Sequence, residues 1–342
     1  MKAFWDPVQL RHAPQFFLQR GVVRPNFEHP DRALALLDGC RTLGLVPELP
    51  DPLDSEQLEW VHTPAYIAFL RDAADRWAAL PQAGPEAVPN IHPSPEMLAQ
   101  GAQPGPMMVG QLGWFTADTS CPIGPGTWQA AMAAAACAVA AADETATGRS
   151  AYALVRPPGH HAYPARAGGH CYLNNAALAA RRMGHHGAER TVVLDIDSHH
   201  GNGTQGVFWD DANILFVSIH GDPSGYYPWY VGYATERGGP GAEGCNLNLP
   251  LPAGTGDEGW LAALDTALAA IRAFKADALV LSLGFDASVD EPLAFLRVTD
   301  DGFSRAAAAI GALRLPTAII QEGGYNTETL GPLLHRFLSA YA

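Results

Sequence analysis

From residue 150 onward, short apolar runs alternate with longer segments of helical pattern. The apolar runs cover 151–157, 190–197, 213–220, 276–286 and 315–324. Helical patterns cover 173–183, 258–274, 301–312 and 328–341, and the alanine-rich stretch after Thr127 predicts a further packed helix. Nearly continuous apolar strands alternating with helices are typical of a parallel sheet covered on both faces. The pattern therefore predicts an α/β fold with a central, mostly parallel β-sheet flanked by helices on both faces.

The domain organisation follows from the absence of internal boundaries. The chain has 342 residues and neither a repeat nor a break in composition, so we expect a single catalytic domain over 1–342. The stretch 81–106 is rich in Pro, Gly and Ala and predicts a long loop insertion. A loop of that length inside a compact domain is often functional, either beside a pocket or at a subunit contact.

Composition limits the binding partners and the cellular compartment that we expect. The net charge of −14 argues against nucleic-acid binding and favours a small cationic partner. No apolar run is long enough to cross a membrane, and MKAFWDPVQLRH lacks the apolar core of a signal peptide. The five cysteines are scattered without a C-x-x-C pair, which argues against a disulfide framework. We therefore expect a cytoplasmic protein that binds neither nucleic acid nor membrane.

Polar residues with catalytic potential follow the predicted strands. In open parallel sheets, ligands bind beyond the carboxyl ends of the strands. At these ends the sequence places His160 and His161, then Asp195, Asp197 and His199, then Ser218, Tyr226 and Tyr227, then Asp286, and finally Tyr325. Histidine, aspartate and tyrosine converging on one sheet edge indicate a metal-assisted hydrolase.

A metal site is the simplest reason for two aspartates beside a buried strand. Asp197 and His199 are two residues apart, so their side chains point the same way in an extended segment. Asp286, from another strand, supplies a third ligand. Catalytic zinc keeps a position open for water, and there it acidifies the water and polarises a substrate carbonyl.

The remaining polar groups are then free for catalysis. His160 and His161 fit the roles of general base and acid, each oriented by a polar partner. The hydroxyl of Tyr325, beside a Gly-Gly turn, could donate to a developing oxyanion. His200 is interpreted as a packing residue rather than a ligand.

Five motifs resemble one known family. The segments RPPGHHAYPARAGGHCYLNNAA, VVLDIDSHHGNGTQ, VSIHGDPSGYYP, SLGFDASVDEPL and QEGGYN occur in this order. They are similar to those of the histone deacetylase/acetylpolyamine amidohydrolase family. The resemblance runs from about His62 to the C-terminus, and 220–254 looks most like the bacterial acetylpolyamine amidohydrolases.

The resemblance implies an arginase/deacetylase fold with one catalytic zinc ion. By position in the motifs, the zinc ligands would be Asp197, His199 and Asp286, and the catalytic residues His160, His161 and Tyr325. Asp195 would lie behind His160, and Asn202 behind His161. The resemblance thus implies the hydrolysis of linear amides at this site.

The same resemblance implies a structural potassium ion, a narrow tunnel and a homodimer. The potassium ligands would be Asp195, Asp197, Ser218 and carbonyl groups near His199 and Ile219. The tunnel would be lined by Gly169, His170, Tyr227 and Leu293.

Three positions depart from the family pattern. His170 stands where Phe or Tyr is usual, which makes one tunnel wall more polar or titratable. Glu291 stands where Asp is usual before Pro. Val109 replaces the acid that polyamine-type members carry before Gly-Gln, and Asp118 is the candidate to recognise a distal ammonium in its place.

Several functions remain open at this point. The first is removal of an acetyl or short acyl group from a small cationic amine, such as an acetylpolyamine or an acetylated diamine. Alternatives are a protein acetyl-lysine deacetylase, a binuclear manganese ureohydrolase and a binding protein without activity. Other histidines are interpreted as structural: the pair His185–His186 as surface residues, and His62 as a helix residue on the same face as Tyr66.

Overall fold

One seven-stranded parallel sheet runs through the molecule. The computed structural model describes all 342 residues. The strands are β1 Lys2–Phe4, β2 Phe16–Gln19, β3 Val22–Pro25, β4 Ala151–Ala153, β5 Thr191–Asp195, β6 Ile214–Gly221, β7 Asn246–Leu251, β8 Ala278–Leu283 and β9 Thr317–Gln321. The sheet has the order β1-β4-β9-β8-β5-β6-β7, while β2 and β3 form a separate antiparallel hairpin. The predicted α/β fold is confirmed.

Helices cover both faces of this sheet. They are α1 Asp31–Thr42, α2 Ser55–Leu58, α3 Pro64–Ala78, α4 Pro95–Ala99, α5 Met108–Trp114, α6 Thr127–Thr145, α7 Asn175–His185, α8 Asn202–Phe208, α9 Asp257–Phe274, α10 Asp300–Gly311 and α11 Thr327–Tyr341. None of them is both long enough and apolar enough to cross a membrane.

The apolar side chains of the strands alternate between two hydrophobic cores, one on each face of the sheet. On β5, Val193 packs into the core beneath α3, α6 and α7, whereas Val192 and Leu194 pack into the core beneath α1, α9, α10 and α11. Successive side chains of a strand point to opposite faces. This is why three successive residues of β5, Val192 to Leu194, are apolar, and why the aspartate that follows them, Asp195, marks the strand end where a site can form.

The sequence pattern missed the N-terminal elements and the last strand of the sheet. Strand β1 has three residues, and the strands of the hairpin β2–β3 have four each and are largely exposed, so none of them carries a long apolar run. Strand β7 alternates buried and half-buried residues at the sheet edge. The expectation that His62 lies on a helix is wrong, because α3 begins at Pro64 with Thr63 as its N-cap. The 81–106 stretch is mostly irregular and contains only the short α4.

Candidate active site

Three ligand-type side chains meet at the carboxyl ends of β5 and β8. The Nδ1 atom of His199 lies 3.1 Å from Oδ1 of Asp197 and 2.8 Å from Oδ2 of Asp286. All three ligand atoms lie within 4.8 Å of one another, and all three residues are buried. Burial opposes the charged imidazole, but the Asp286 and Asp197 carboxylates raise the pKa of His199 to about 9. A cation between two buried carboxylates and one imidazole resolves this charge imbalance.

Backbone groups hold these carboxylates in place. The amide of Gly323 donates to Oδ2 of Asp197 at 2.8 Å, and the amide of Ser198 donates to Oδ1 of Asp286 at 2.8 Å. A Cβ at Gly323 would come within 2.6 Å of an oxygen of Asp197 and of Asp286. Glycine is therefore required at position 323, because any side chain there would displace the two carboxylates.

The tandem histidines differ in the partner behind each ring. Nδ1 of His160 lies 2.9 Å from Oδ2 of Asp195, whereas Nδ1 of His161 lies 2.6 Å from Oδ1 of Asn202. Burial lowers the pKa of His160, but the Asp197 and Asp195 carboxylates raise it. The net result is a pKa well above the usual value. Burial and the nearby His160 lower the pKa of His161 well below its usual value. One imidazole is thus held charged and the other neutral.

Tyr325 lies on a loop that is fixed from two sides. Its backbone amide donates to the Glu291 carboxylate at 2.9 Å, so the Glu that replaces the usual Asp anchors this loop. From the other side, Arg32 donates to the carbonyls of Glu322 and Gly324 and lies 4.8 Å from the centre of the Tyr325 ring. The Tyr325 side chain lines the pocket.

The pocket above the three ligands has a volume of about 500 Å³. Three of the predicted site residues, His161, His199 and Tyr325, line it. Of the predicted tunnel residues, it is lined by Gly169, His170, Tyr227 and Leu293. Its further lining includes Tyr226, which the sequence places at a strand end, and five residues that the sequence did not predict there: Phe17, Leu18, Gln19, Arg20 and Phe295.

Two of the predicted wall residues, Gly169 and His170, are constrained by their surroundings. Gly169 has a left-handed φ of 51°, and a Cβ there would lie 2.4 Å from the His161 ring. His170 is buried, and burial lowers its pKa to about 4. The polar wall expected from His170 is therefore uncharged at neutral pH.

Asp118 does not line this pocket. Its Oδ2 accepts hydrogen bonds from the hydroxyl of Tyr227 at 2.5 Å and from the amide of Gly169 at 3.0 Å, and Oδ1 accepts from the amide of Ser120. It borders a neighbouring cavity on the far side of Tyr227. The carboxylate thus supports the tunnel wall from behind.

The residues assigned to potassium lie on neighbouring strands. Asp195 of β5 pairs with Ser218 of β6 in the sheet register. The Ser218 hydroxyl lies 2.8 Å from Nδ1 of His220, and Oδ1 of Asp195 accepts from the amide of Asp197. His200 is fully buried against His220 and hydrogen-bonded to Gln205, and it is not part of the cluster of three ligand-type side chains.

Tyr226 is the site residue whose role the sequence left least defined. Its ring stacks on His199 at 4.5 Å between centroids, and Phe295 stacks on the opposite face at 4.4 Å. Its hydroxyl lies 3.2 Å from Oγ of Ser198. The adjacent tyrosines after β6 signalled a wall, but the pattern could not say which ring would contact a ligand.

Comparison with known proteins agrees with this arrangement. Residues 26–341 match the model of the histone deacetylase domain. The chain is 42% identical to the acetylpolyamine amidohydrolase of Burkholderia pseudomallei over 100% of this chain and 98% of that protein. It is also 42% identical to acetylpolyamine amidohydrolase 1 of Pseudomonas aeruginosa, covering 94% of this chain and 92% of the relative.

Solved structures give the same answer for the fold. The structure of acetylpolyamine aminohydrolase from Burkholderia pseudomallei superposes with a TM-score of 0.95 at 41% identity, covering 100% of this chain and 98% of that one. The match extends over the N-terminal elements that precede the recognisable motifs. The chain therefore belongs to the histone deacetylase family of amide hydrolases.

Proposed function

We propose that this protein is a zinc-dependent amidohydrolase that removes an acetyl or other short acyl group from a small primary amine. The observation that carries the proposal is the convergence of the three ligands, a neutral imidazole and a tyrosine on one pocket. Water attacks the amide carbonyl, the C–N bond breaks, and the products are a carboxylate and a free amine.

Zinc suits the donor set. Asp197, His199 and Asp286 offer two carboxylates and one imidazole nitrogen, which are ligands that zinc accepts with a position left open. When bound, zinc would polarise the amide carbonyl and lower the pKa of the attacking water. We also propose a structural potassium ion held by Asp195, Asp197 and Ser218.

His161 is the general base in this proposal. Asn202 offers its amide oxygen to Nδ1 of His161, so Nδ1 carries the hydrogen and Nε2 keeps its lone pair. A neutral His161 on the pocket floor can take a proton from water and deliver it to the leaving nitrogen. His160, paired with the Asp195 carboxylate, supplies positive charge beside the reaction.

Tyr325 completes the constellation as the oxyanion donor. Tyr325 lines the pocket, and its loop is fixed by Glu291, which accepts from its amide, and by Arg32, which donates to the carbonyl of Gly324. A donor that is fixed before the reaction stabilises the negative charge that develops on the carbonyl oxygen.

The substrate class is supported by the names of the relatives, which are acetylpolyamine amidohydrolases. Acetylated polyamines and diamines are therefore the first candidates, and a protein acetyl-lysine side chain is the alternative. Hydrolysis of acetylputrescine, acetylcadaverine and an acetyl-lysine peptide should be measured side by side. Peptide turnover far above that of both small amides would overturn the preference for small amines.

Metal analysis separates this proposal from a ureohydrolase. We expect one zinc ion per chain, and loss of amide hydrolysis on chelation that zinc restores. Two manganese ions per chain together with cleavage of a guanidino compound would contradict the proposal.

We further propose a cytoplasmic homodimer that uses the 81–106 insertion and the start of α5. Apolar side chains are exposed along this stretch at Ile91, Met97, Leu98, Met107 and Val109. Exposed apolar clusters of this kind mark interfaces. Light scattering should give twice the chain mass, and Met107→Glu should shift the protein toward the monomer.

A further inference from the structure

The segment that carries both catalytic histidines belongs to no helix or strand. It follows β4, and its residues 157–161, here called the histidine segment, lie in turns and irregular backbone. Buried amides outside helices and sheets need partners from elsewhere in the chain. Whatever binds the amides of this segment also determines where His160 and His161 lie.

Glu322 supplies such a partner. One oxygen of its carboxylate, Oε2, accepts hydrogen bonds from the amides of Gly159 at 2.7 Å and of His160 at 3.1 Å. The residue is fully buried, and its other oxygen, Oε1, accepts no hydrogen bond. All the hydrogen bonds of this side chain therefore go to the histidine segment.

The backbone of Glu322 is fixed at the catalytic edge of the sheet. Its amide donates to the carbonyl of Leu283, the last residue of β8, at 2.7 Å. The next residue, Gly323, donates to the carboxylate of the ligand Asp197. Glu322 therefore joins the histidine segment to the turn that holds a metal ligand and leads into Tyr325.

Helix α7 makes a second close contact with the histidine segment. A Cβ at Gly159 would lie 2.5 Å from the amide nitrogen of Asn175, the first residue of this helix. The side chain of Asn175 also donates to the carbonyl of Pro157 at 3.2 Å. Of these two contacts, the Glu322 carboxylate is the one that connects the segment to the turn before Tyr325.

We propose that Glu322 is a positioning residue for the proposed amide hydrolysis. By binding two amides of the histidine segment, it sets the distance between this segment and the turn that carries Tyr325. The inference rests on the proposed function and names the side chain that aligns its general base with its oxyanion donor. Such alignment matters because a misplacement on the order of 1 Å at a reacting group can cost about a hundredfold in rate.

Two variants separate the length of this side chain from its charge. Glu322→Gln keeps an acceptor oxygen at the same reach without the charge, whereas Glu322→Asp keeps the charge and shortens the side chain by a methylene group. Glu322→Asp should lower kcat for the fastest acetylated substrate about ten- to a hundredfold with KM unchanged, because it displaces reacting groups rather than the walls that bind substrate. Glu322→Gln should keep kcat within about threefold of the wild type, since an amide oxygen can accept from the same two amides.

A matched control lies at the opposite end of the sheet. Oδ2 of Asp277, just before β8, accepts from the successive amides of Glu189 and Arg190 at 3.0 and 2.9 Å. Asp277→Glu changes the length of this side chain at constant charge and should leave kcat unchanged. Zinc content and urea unfolding should be measured for all three variants, so that rates are compared per folded, metal-loaded chain.

Three results would overturn the inference while the proposed function stands. A loss of kcat in Glu322→Gln as large as that in Glu322→Asp would assign the role to the charge. An unchanged kcat in Glu322→Asp would show that the segment does not need this side chain's length. A Glu322→Asp protein that does not fold would assign the residue to the fold as a whole. If the wild type hydrolyses no acetylated amine, both the inference and the proposed function are overturned.

Discussion

At the scale of single residues, the site depends on which polar atom stands behind each reacting side chain. Tyr325→Phe removes one hydroxyl and leaves the ring, the backbone bonds to Glu291 and the three ligands in place. We expect kcat to fall about a hundredfold, because a fixed oxyanion donor contributes on that order. Zinc content and melting temperature should match the wild type, and unchanged turnover would remove Tyr325 from the mechanism.

The contrast between Asn202 and Asp195 gives a second residue-scale prediction. Asn202→Asp would place a carboxylate 2.6 Å from Nδ1 of His161, where an amide oxygen lies now. A carboxylate favours the charged imidazole, so it should raise the pKa of His161 from its present low value. A base must be neutral to act, so the acid limb of the pH dependence of kcat/KM should move to higher pH. An acid limb that stays in place would assign the base to another group.

At the scale of elements, α1 holds the catalytic loop although it lies far from it in sequence. Arg32 is buried and forms an ion pair with Glu28 at 2.9 Å while it donates to the carbonyls of Glu322 and Gly324. Burial works against the Glu28 carboxylate, but Arg156, His12 and Arg32 hold its pKa well below the usual value. The ion pair is therefore a fixed part of the fold.

Arg32→Met should destabilise the protein and slow the reaction together. The substitution leaves the carbonyls of Glu322 and Gly324 without their donor and removes one of the cations beside Glu28. Breaking a buried ion pair costs ~3–5 kcal/mol. Urea unfolding measures the first effect, and kcat with acetylated substrate measures the second. Arg41→Gln is the matched control on the same helix, because its exposed pair with Asp38 contributes ~0–1 kcal/mol. Equal stability of the two variants would contradict the role of Arg32.

The strands differ in how far the sequence could predict them. Strands β5, β8 and β9 are buried throughout, so their apolar runs predicted both the strands and the polar site residues that follow them. The hairpin β2–β3 and strand β1 are too short or too exposed to leave such a pattern. For this reason the sequence did not predict Phe17 and Arg20 as site residues, although both line the pocket.

At the scale of the whole molecule, the long-range contacts of polar atoms are what sequence periodicity leaves undetermined. The motifs predicted that Asp197, His199 and Asp286 would meet, because parallel strands bring their carboxyl ends to one edge. They did not predict the positions of Asp118 or His62, whose partners lie far away in sequence. Such partners depend on loop paths, and loops carry no periodic signal.

Buried neutral histidines make the stability of the whole fold depend on pH. His62 is buried, Nε2 accepts the amide hydrogen of Asn174 at 2.9 Å, and burial lowers its pKa to about 4. The unfolded chain binds this proton below about pH 6.5, whereas the folded protein binds it only near pH 4. The unfolded state therefore holds more protons in this window, so stability must fall as pH falls from about 6.5 to 4.

His62→Gln tests this linkage. A glutamine oxygen can still accept from the Asn174 amide but does not titrate, so the variant should lose less stability on acidification. The difference between its stability and that of the wild type should change by roughly 3 kcal/mol across the window, since each pKa unit corresponds to about 1.4 kcal/mol. Denaturant unfolding at pH 7, 6, 5 and 4 measures both curves. Two other buried histidines, His170 and His220, also have pKa values lowered to about 4, so the variant should keep part of the slope. Parallel curves for the two proteins would show that His62 protonates equally in both states.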